Sequence, residues 1–294
     1  MIDLYDALKN FPALSRQLNC KGMLFTQYDC PQTTHKEGFF VERSFIIYVI
    51  RGRRIFHKDM KTWDIKEGVC AFVKSGTHTA ERLGNDEWCV MAFFVPVDFL
   101  KSLMAENRGR FPAINSTSVV SDHVILLDVD EFSKSFFFSM LPYFSQSPPP
   151  PENLVELKFK ELILSLLSNE NNRHFLSYLN TLSDDNRQSI EEIMNNNYRF
   201  NLTLDQYARL ASKSVPTFKR EFKRLFNDTP AKWVTKRRLA LATELLERSS
   251  LRVGEIAQEC GFENQTHFSR LFKEKVGESP LQFRMQRYSV NKDT

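Results

Sequence analysis

The chain has 294 residues, 42% hydrophobic and 26% charged, with a formal net charge of +4. That length predicts about two domains, and the composition excludes collagen-like and disordered classes. The strongest apolar runs, residues 45–50 and 89–97, fall short of the ~20 a membrane-spanning helix needs, and a start bearing Asp3 and Asp6 does not read as a secretory leader. Five scattered cysteines, Cys20, Cys30, Cys70, Cys89 and Cys260, include no CxxC pair. Neither a disulfide framework nor a zinc site is expected, and a cytoplasmic location fits.

Between residues 21 and 95, GMLFTQY, SFIIYVI, RRIFH, TWDIK, VCAFV and EWCVMAFFV are short apolar or alternating runs separated by turn signals. Such spacing predicts an antiparallel sandwich or barrel. After Pro96, VDFLKSLMAEN reads as helix, and two longer helices are expected at about 131–145 and 152–168. The four prolines of SQSPPPPEN make a stiff connector between them. The domain boundary is expected later, around residues 182–187, giving domains 1–183 and 184–294, because the basic and repetitive part begins there.

Residues 184–294 hold 20 basic and 15 acidic side chains, and most of the excess lies between Lys213 and Arg238, where nine basic residues face only Glu221 and Asp228. A concentrated basic stripe is the footprint of a polyanion partner. The same region repeats itself. Leu202, Leu204, Tyr207, Ala208 and Ala211 match Leu251, Val253, Ile256, Ala257 and Cys260 at an offset of 49; Phe218, Arg220, Phe222, Lys223, Pro230 and Trp233 match Phe268, Arg270, Phe272, Lys273, Pro280 and Phe283 at 50. The extra residue falls in a turn, where length changes do least harm.

Each repeat reads helix, short turn, helix, then a Pro-started helix. Thr203 and Gln206 have capping-box spacing, Ser214 is placed to cap the next helix, and in the second repeat Gly261 supplies the turn and Asn264 the cap. This is helix-turn-helix geometry, whose second helix can enter the major groove of double-stranded DNA. The base-reading candidates are Lys219 and Arg220 in the first copy and Gln265, Thr266, His267 and Arg270 in the second. Lys223, Lys232, Lys236, Arg237, Arg238 and Lys273 are candidates for the DNA backbone. A linker helix from Pro230 to about Arg248 is long enough to hold two reading helices about one DNA turn apart.

IAQECGFENQTHFSRLFKEKVGESPLQFR, with its G-F turn, F-S-R-x-F-K core and G-x-S-P-x-x-F-R tail, resembles the C-terminal signature of the arabinose-regulator (AraC/XylS) family of bacterial transcription factors. The likeness covers residues 187–288 and implies two DNA-reading helices joined by a linker helix. Pro216 departs from it at a position that often reads DNA, which favours Lys219 and Arg220 as readers. The N-terminal half, FIIYVIRGRRIFHKD and WDIKEGVCAFVKSGTHTAE, resembles the sensor half of such regulators, most closely the type III secretion activator branch. The family implies an α+β chain of two domains: an N-terminal cupin-like β-barrel with appended helices, and a C-terminal all-α domain with two helix-turn-helix units. It implies activation as the commoner mode, through RNA polymerase.

For the barrel two controls are open, a small-molecule effector inside it or a regulatory protein partner. Arg43, Tyr48, His57, Trp63, His78 and Trp88 are the candidate pocket residues, although aromatics on short strands are more often core. His35, His57 and His78 read as isolated and no HxH pair occurs. A cupin-type metal-dependent enzyme is therefore the disfavoured alternative, and no metal or other cofactor is expected. The helices at 131–168 carry more apolar surface than one stripe needs, which points to a homodimer.

Overall fold

Alternate side chains of the strand at residues 45–51 point to opposite faces, yet Phe45, Ile47 and Val49 are as deeply buried as Ile46 and Tyr48. A strand buried on both faces needs a layer on each side. In this computed structural model, which describes residues 2–10, 15–29, 35–58, 61–83, 87–111, 122–183 and 189–290, those layers are a second sheet and a set of helices. Cys30 and residues 184–188, within which most of the expected domain boundary falls, lie outside the described residues. The chain divides into two units, Met1–Arg187 and Gln188–Thr294.

In the first unit β1 (Ile2–Asp3) and α1 (Leu4–Asn10) precede β2 (Ser15–Cys20), β3 (Met23–Asp29), β4 (Lys36–Val41), β5 (Phe45–Arg51), β6 (Arg53–Lys58), β7 (Lys61–Lys66), β8 (Cys70–Val73), β9 (Gly76–Arg82) and β10 (Cys89–Phe94). Then come α2 (Val97–Glu106), β11 (Val124–Leu127), α3 (Glu131–Met140), α4 (Glu152–Ser168) and α5 (Arg173–Ser183). One sheet has the order β1-β4-β9-β6-β7 and the other β11-β8-β5-β10-β3-β2. Phe39, Phe45, Phe56, Val90 and Phe94 fill the space between the sheets.

The outer face of the second sheet is roofed by the helices. Tyr48 stacks on Phe137 with centroids 4.2 Å apart and planes 8° from parallel, and Phe72 meets Phe175 at 5.0 Å and Tyr178 at 5.2 Å. Each buried Phe in this layer contributes about 1.5–3 kcal/mol relative to exposure. Counting both units, most of the 26 Phe are core. The predicted helix at 131–145 is an α-helix only to Met140 and ends in a 3-10 turn at Pro142–Ser145, since proline offers no N–H to continue the ladder. Helices α3 and α4 bury one stripe, including Phe136, Phe137, Phe159 and Leu162, and leave a second outside: Phe132 is 60%, Phe138 54% and Leu157 62% exposed.

The second unit is helical throughout: α6 (Ile190–Asn197), α7 (Leu204–Leu210), α8 (Val215–Phe226), α9 (Pro230–Arg248), α10 (Val253–Glu259), α11 (Gln265–Val276) and α12 (Pro280–Val290). No helix among the described residues is long and apolar enough to cross a membrane.

Candidate DNA interface

Both repeats fold to the same local plan, and the caps carry it. The Thr203 hydroxyl accepts the Gln206 N–H while the Gln206 side chain accepts the Thr203 N–H, which starts α7. Its turn is made by Ser212 at φ +52, where the second repeat has Gly261 at φ +83. Lys213 N–H then donates to the Ala208 carbonyl as Phe262 N–H does to Ala257. Ser214 caps α8 through Thr217 N–H, and Asn264 caps α11 through Thr266 and His267 N–H. Asn227 and Gly277, both left-handed, close the two second helices. Pro216 costs α8 nothing, because an N–H in the first turn has no helical partner to lose.

One face of each second helix is core. Phe218 and Phe222 pack on Tyr207 and Ala208, and Phe268 and Phe272 on Ile256 and Phe283. The other faces are polar and open. Lys219, Arg220 and Lys223 are exposed on α8; Gln265, Thr266, His267, Arg270 and Lys273 are exposed on α11. Spacings of three and four residues gather Pro216, Lys219, Arg220 and Lys223 on one stripe, and Thr266, Arg270 and Lys273 on the equivalent one. The α8 stripe contains no acidic residue; on α11 Glu274 follows Arg270 by one turn and is held by Lys275 at 2.8 Å, which leaves Arg270 and Lys273 as donors and positive charge of the kind that meets base edges and phosphates.

Linker-helix residues divide. Lys232 is exposed, while Lys236, also exposed, pairs with Asp228 at 2.6 Å and holds that carboxyl below its ordinary range. Arg237 lies over the Tyr198 and Trp233 rings, 5.6 Å from each centroid, and donates to Asn195. Arg238 corrects the expectation made for it. It is half-buried, and its guanidinium donates to three main-chain carbonyls, of Tyr198 (2.7 Å), Phe200 (3.0 Å) and Gly261 (2.6 Å). A fork committed to the protein's own backbone is not a phosphate contact. The alternation of charge and apolar residues on α9 put Arg238 outside because its long stem and polar head mimic a solvated side chain.

The expected effector pocket is also redrawn. A cavity of about 100 Å3 between the sheets is lined by Phe39, Phe45, Phe56 and Trp88, with Arg54 and Glu37 as polar members. Of the six residues expected there, Trp88 alone lines it. Tyr48 faces the helices on Phe137, and Arg43 donates to the Gly22 carbonyl and lies over Tyr5. Trp63 packs beside Phe56 without reaching the cavity. His57 points the opposite way from Phe56 on β6 and meets Glu81 at 2.6 Å. His78 is buried on Phe39, donating Nε2–H to the Lys74 carbonyl, and burial pushes its imidazole down to about 3, so it stays neutral.

Arg54, 1% exposed and 5.1 Å from the Trp88 ring, is the residue that sequence reasoning missed. Its signal was the strand phase shared with Phe56. Nor are His35 and His57 isolated, for both approach Glu81, at 3.8 Å and 2.6 Å. Among the described residues, however, the one group of three metal-ligating side chains whose donor atoms lie mutually close is Asp3, Asp6 and Glu42, which includes no histidine.

Two family models match the chain: an ExsA N-terminal regulatory domain over residues 44–178 and a helix-turn-helix domain over residues 207–286. The chain is 24% identical to the virulence regulon transcriptional activator VirF of Yersinia enterocolitica over 243 residues, covering 82% of this chain and 89% of VirF. It is 27% identical to the HTH-type transcriptional regulator ExsA of Pseudomonas aeruginosa, over 81% and 85% of the two chains. Among solved structures, apo ToxT K231A from Vibrio cholerae aligns at a TM-score of 0.45 and 14% identity, over 91% of this chain and 98% of that one.

Proposed function

We infer the role of this chain from its membership of the arabinose-regulator (AraC/XylS) family: it is a DNA-binding transcription regulator of the activator kind, and not an enzyme. The observation that carries the reading is the pair of helix-turn-helix units, built on matched caps and each opening a polar face of its second helix that bears more basic than acidic side chains. Lys219, Arg220, Gln265, Thr266, His267 and Arg270 are proposed to read base edges, and Lys223, Lys232, Lys236 and Lys273 to hold phosphates. Arg237 and Lys236 are weaker backbone candidates than Lys223, Lys232 and Lys273, because their heads already have partners in Asn195 and Asp228.

Salt tests this division. Each phosphate neutralised releases condensed counterions, so the logarithm of the binding constant falls with the logarithm of salt at about 0.9 per contact. Lys232→Ala is expected to lower affinity for every duplex alike and to flatten that slope by about one unit in gel-shift titrations. Binding indifferent to both salt and sequence would overturn the reading.

Control is proposed to pass through protein contact rather than through a ligand. A cavity of about 100 Å3 is small beside the several hundred Å3 of a ligand pocket, whereas α3 and α4 keep Phe132, Phe138 and Leu157 outside. A second copy of this chain is the proposed occupant of that face, with RNA polymerase as the partner of the DNA-bound form. Leu157→Asp is expected to convert dimer to monomer in sedimentation velocity with the fold intact; an unchanged dimer rules this face out.

A further inference from the structure

The two helix-turn-helix units do more than share a linker helix, for they touch each other. Tyr198 and Phe200, whose carbonyls accept from Arg238, lie in the turn that leads to Thr203 and the start of α7. Gly261, whose carbonyl accepts from the same guanidinium, is the turn that leads to Asn264 and the start of α11. A Cβ at Gly261 would stand 2.1 Å from the Arg199 carbonyl oxygen, so the turn of the second unit rests directly on the approach to the first. Beside it Asn201 donates to Glu263 at 2.8 Å. Glu263 is the single residue by which the second repeat exceeds the first, so the sequence departs from its own repeat where the units meet.

We propose that Arg238 is a spacing-determining residue: it locks the two turns together and so fixes the distance and rotational phase at which α8 and α11 meet DNA. This rests on the reading that both helices enter major grooves. Arginine suits the task because its planar fork holds several donors in fixed geometry, which a flexible ammonium does not. The phase matters because duplex DNA turns once in about 10–10.5 base pairs, so one inserted pair rotates a half-site by about 35° and moves it by about 3.4 Å. A rigid pair of readers loses contacts at that displacement. A pair joined by α9 alone can tilt to recover them.

The test is selection of the full-length protein on a library of random-sequence duplexes, followed by titration on the selected site with one base pair inserted or deleted between half-sites. Wild type is expected to enrich two half-site motifs at one spacing and to lose at least about tenfold in affinity on insertion, the order of one mismatched contact. Arg238→Met, which keeps the stem and removes the donors, is expected to enrich the same two motifs over several spacings, with an insertion penalty below about threefold on the same scale. Arg238→Lys should fall between. Loss of packing alone would lower affinity at every spacing equally.

If Arg238→Met holds one spacing with the wild-type penalty, the clamp is refuted while the DNA reading stands. If wild type itself enriches one motif or none, the DNA reading fails and the clamp with it. Circular dichroism establishes that the variant is folded. Should it not fold, Arg238→Lys, which keeps the charge and loses the fork, decides the matter: a reduced insertion penalty supports the clamp, and an unchanged one refutes it.

Discussion

Phe222→Ala is expected to destabilise the DNA-binding unit by about 3–5 kcal/mol, the range for deleting a buried aromatic ring. The side chain is fully buried, with Phe226, Phe218 and Trp233 ring centroids at 4.5, 5.9 and 6.3 Å, so nothing can collapse cheaply into the space it leaves. Against a typical domain stability of about 5–15 kcal/mol, that loss takes a large share of the whole. Urea unfolding followed by far-ultraviolet circular dichroism should show one transition moved to lower denaturant. DNA binding should fall with it, for lack of folded protein rather than of contacts. A shift below about 1 kcal/mol, the size of a typical single substitution, would mean that the apolar stripe of α8 is not core and that its polar stripe is misassigned.

Arg270→Ala should do the reverse, leaving the fold intact and weakening specific binding by about 1–3 kcal/mol, roughly 5–150-fold, with relaxed preference at one or two base pairs. The difference follows from position. Arg270 and Phe268 lie two residues apart on α11, about 200° around the helix, so one is exposed and the other fully buried. Competition titrations on duplexes mutated one position at a time measure it. If affinity falls equally on all of them, Arg270 is a phosphate contact.

The helical half was legible in the sequence nearly to the residue, because its signals are local. Thr203, Ser214 and Asn264 cap as their types predict, and the linker helix runs Pro230–Arg248 as its proline and periodicity indicate. The strands of the first unit were legible in part: β3, β5, β6, β7, β8 and β10 answer to the apolar runs, whereas β4 and β11 were not read, their apolar stretches being only three or four residues long. Strand β9 was not read either, although it lies inside its sheet, since Thr77 and His78 are buried polar residues matched by Lys58 Nζ and the Lys74 carbonyl. Alternation cannot reveal a strand whose inward positions are polar. Strand β2, at a sheet edge, hides for the opposite reason, having few buried side chains to announce it.

Site residues followed the same rule. Exposure of the polar stripes on α8 and α11 follows from helical phase, a property of one element. The burial of Arg238 and Arg54 depends on neighbours 23 to 40 residues away for the first and on strand phase and Trp88 for the second. Helix α5 was there to be read, with Phe175, Leu176, Leu179 and Leu182 at helical spacing. Its function, roofing Phe72, required the sheet.

The central claim is that α8 and α11 read successive major grooves on one face of a duplex. Methylation interference at guanine N7 on a selected site tests it most directly, because N7 lies in the major groove. The account predicts two clusters of interference about 10–10.5 base pairs apart, with the cluster belonging to α11 lost in Arg270→Ala and the other retained. A single cluster, or interference from methylation at adenine N3 in the minor groove and none at guanine N7, would contradict it.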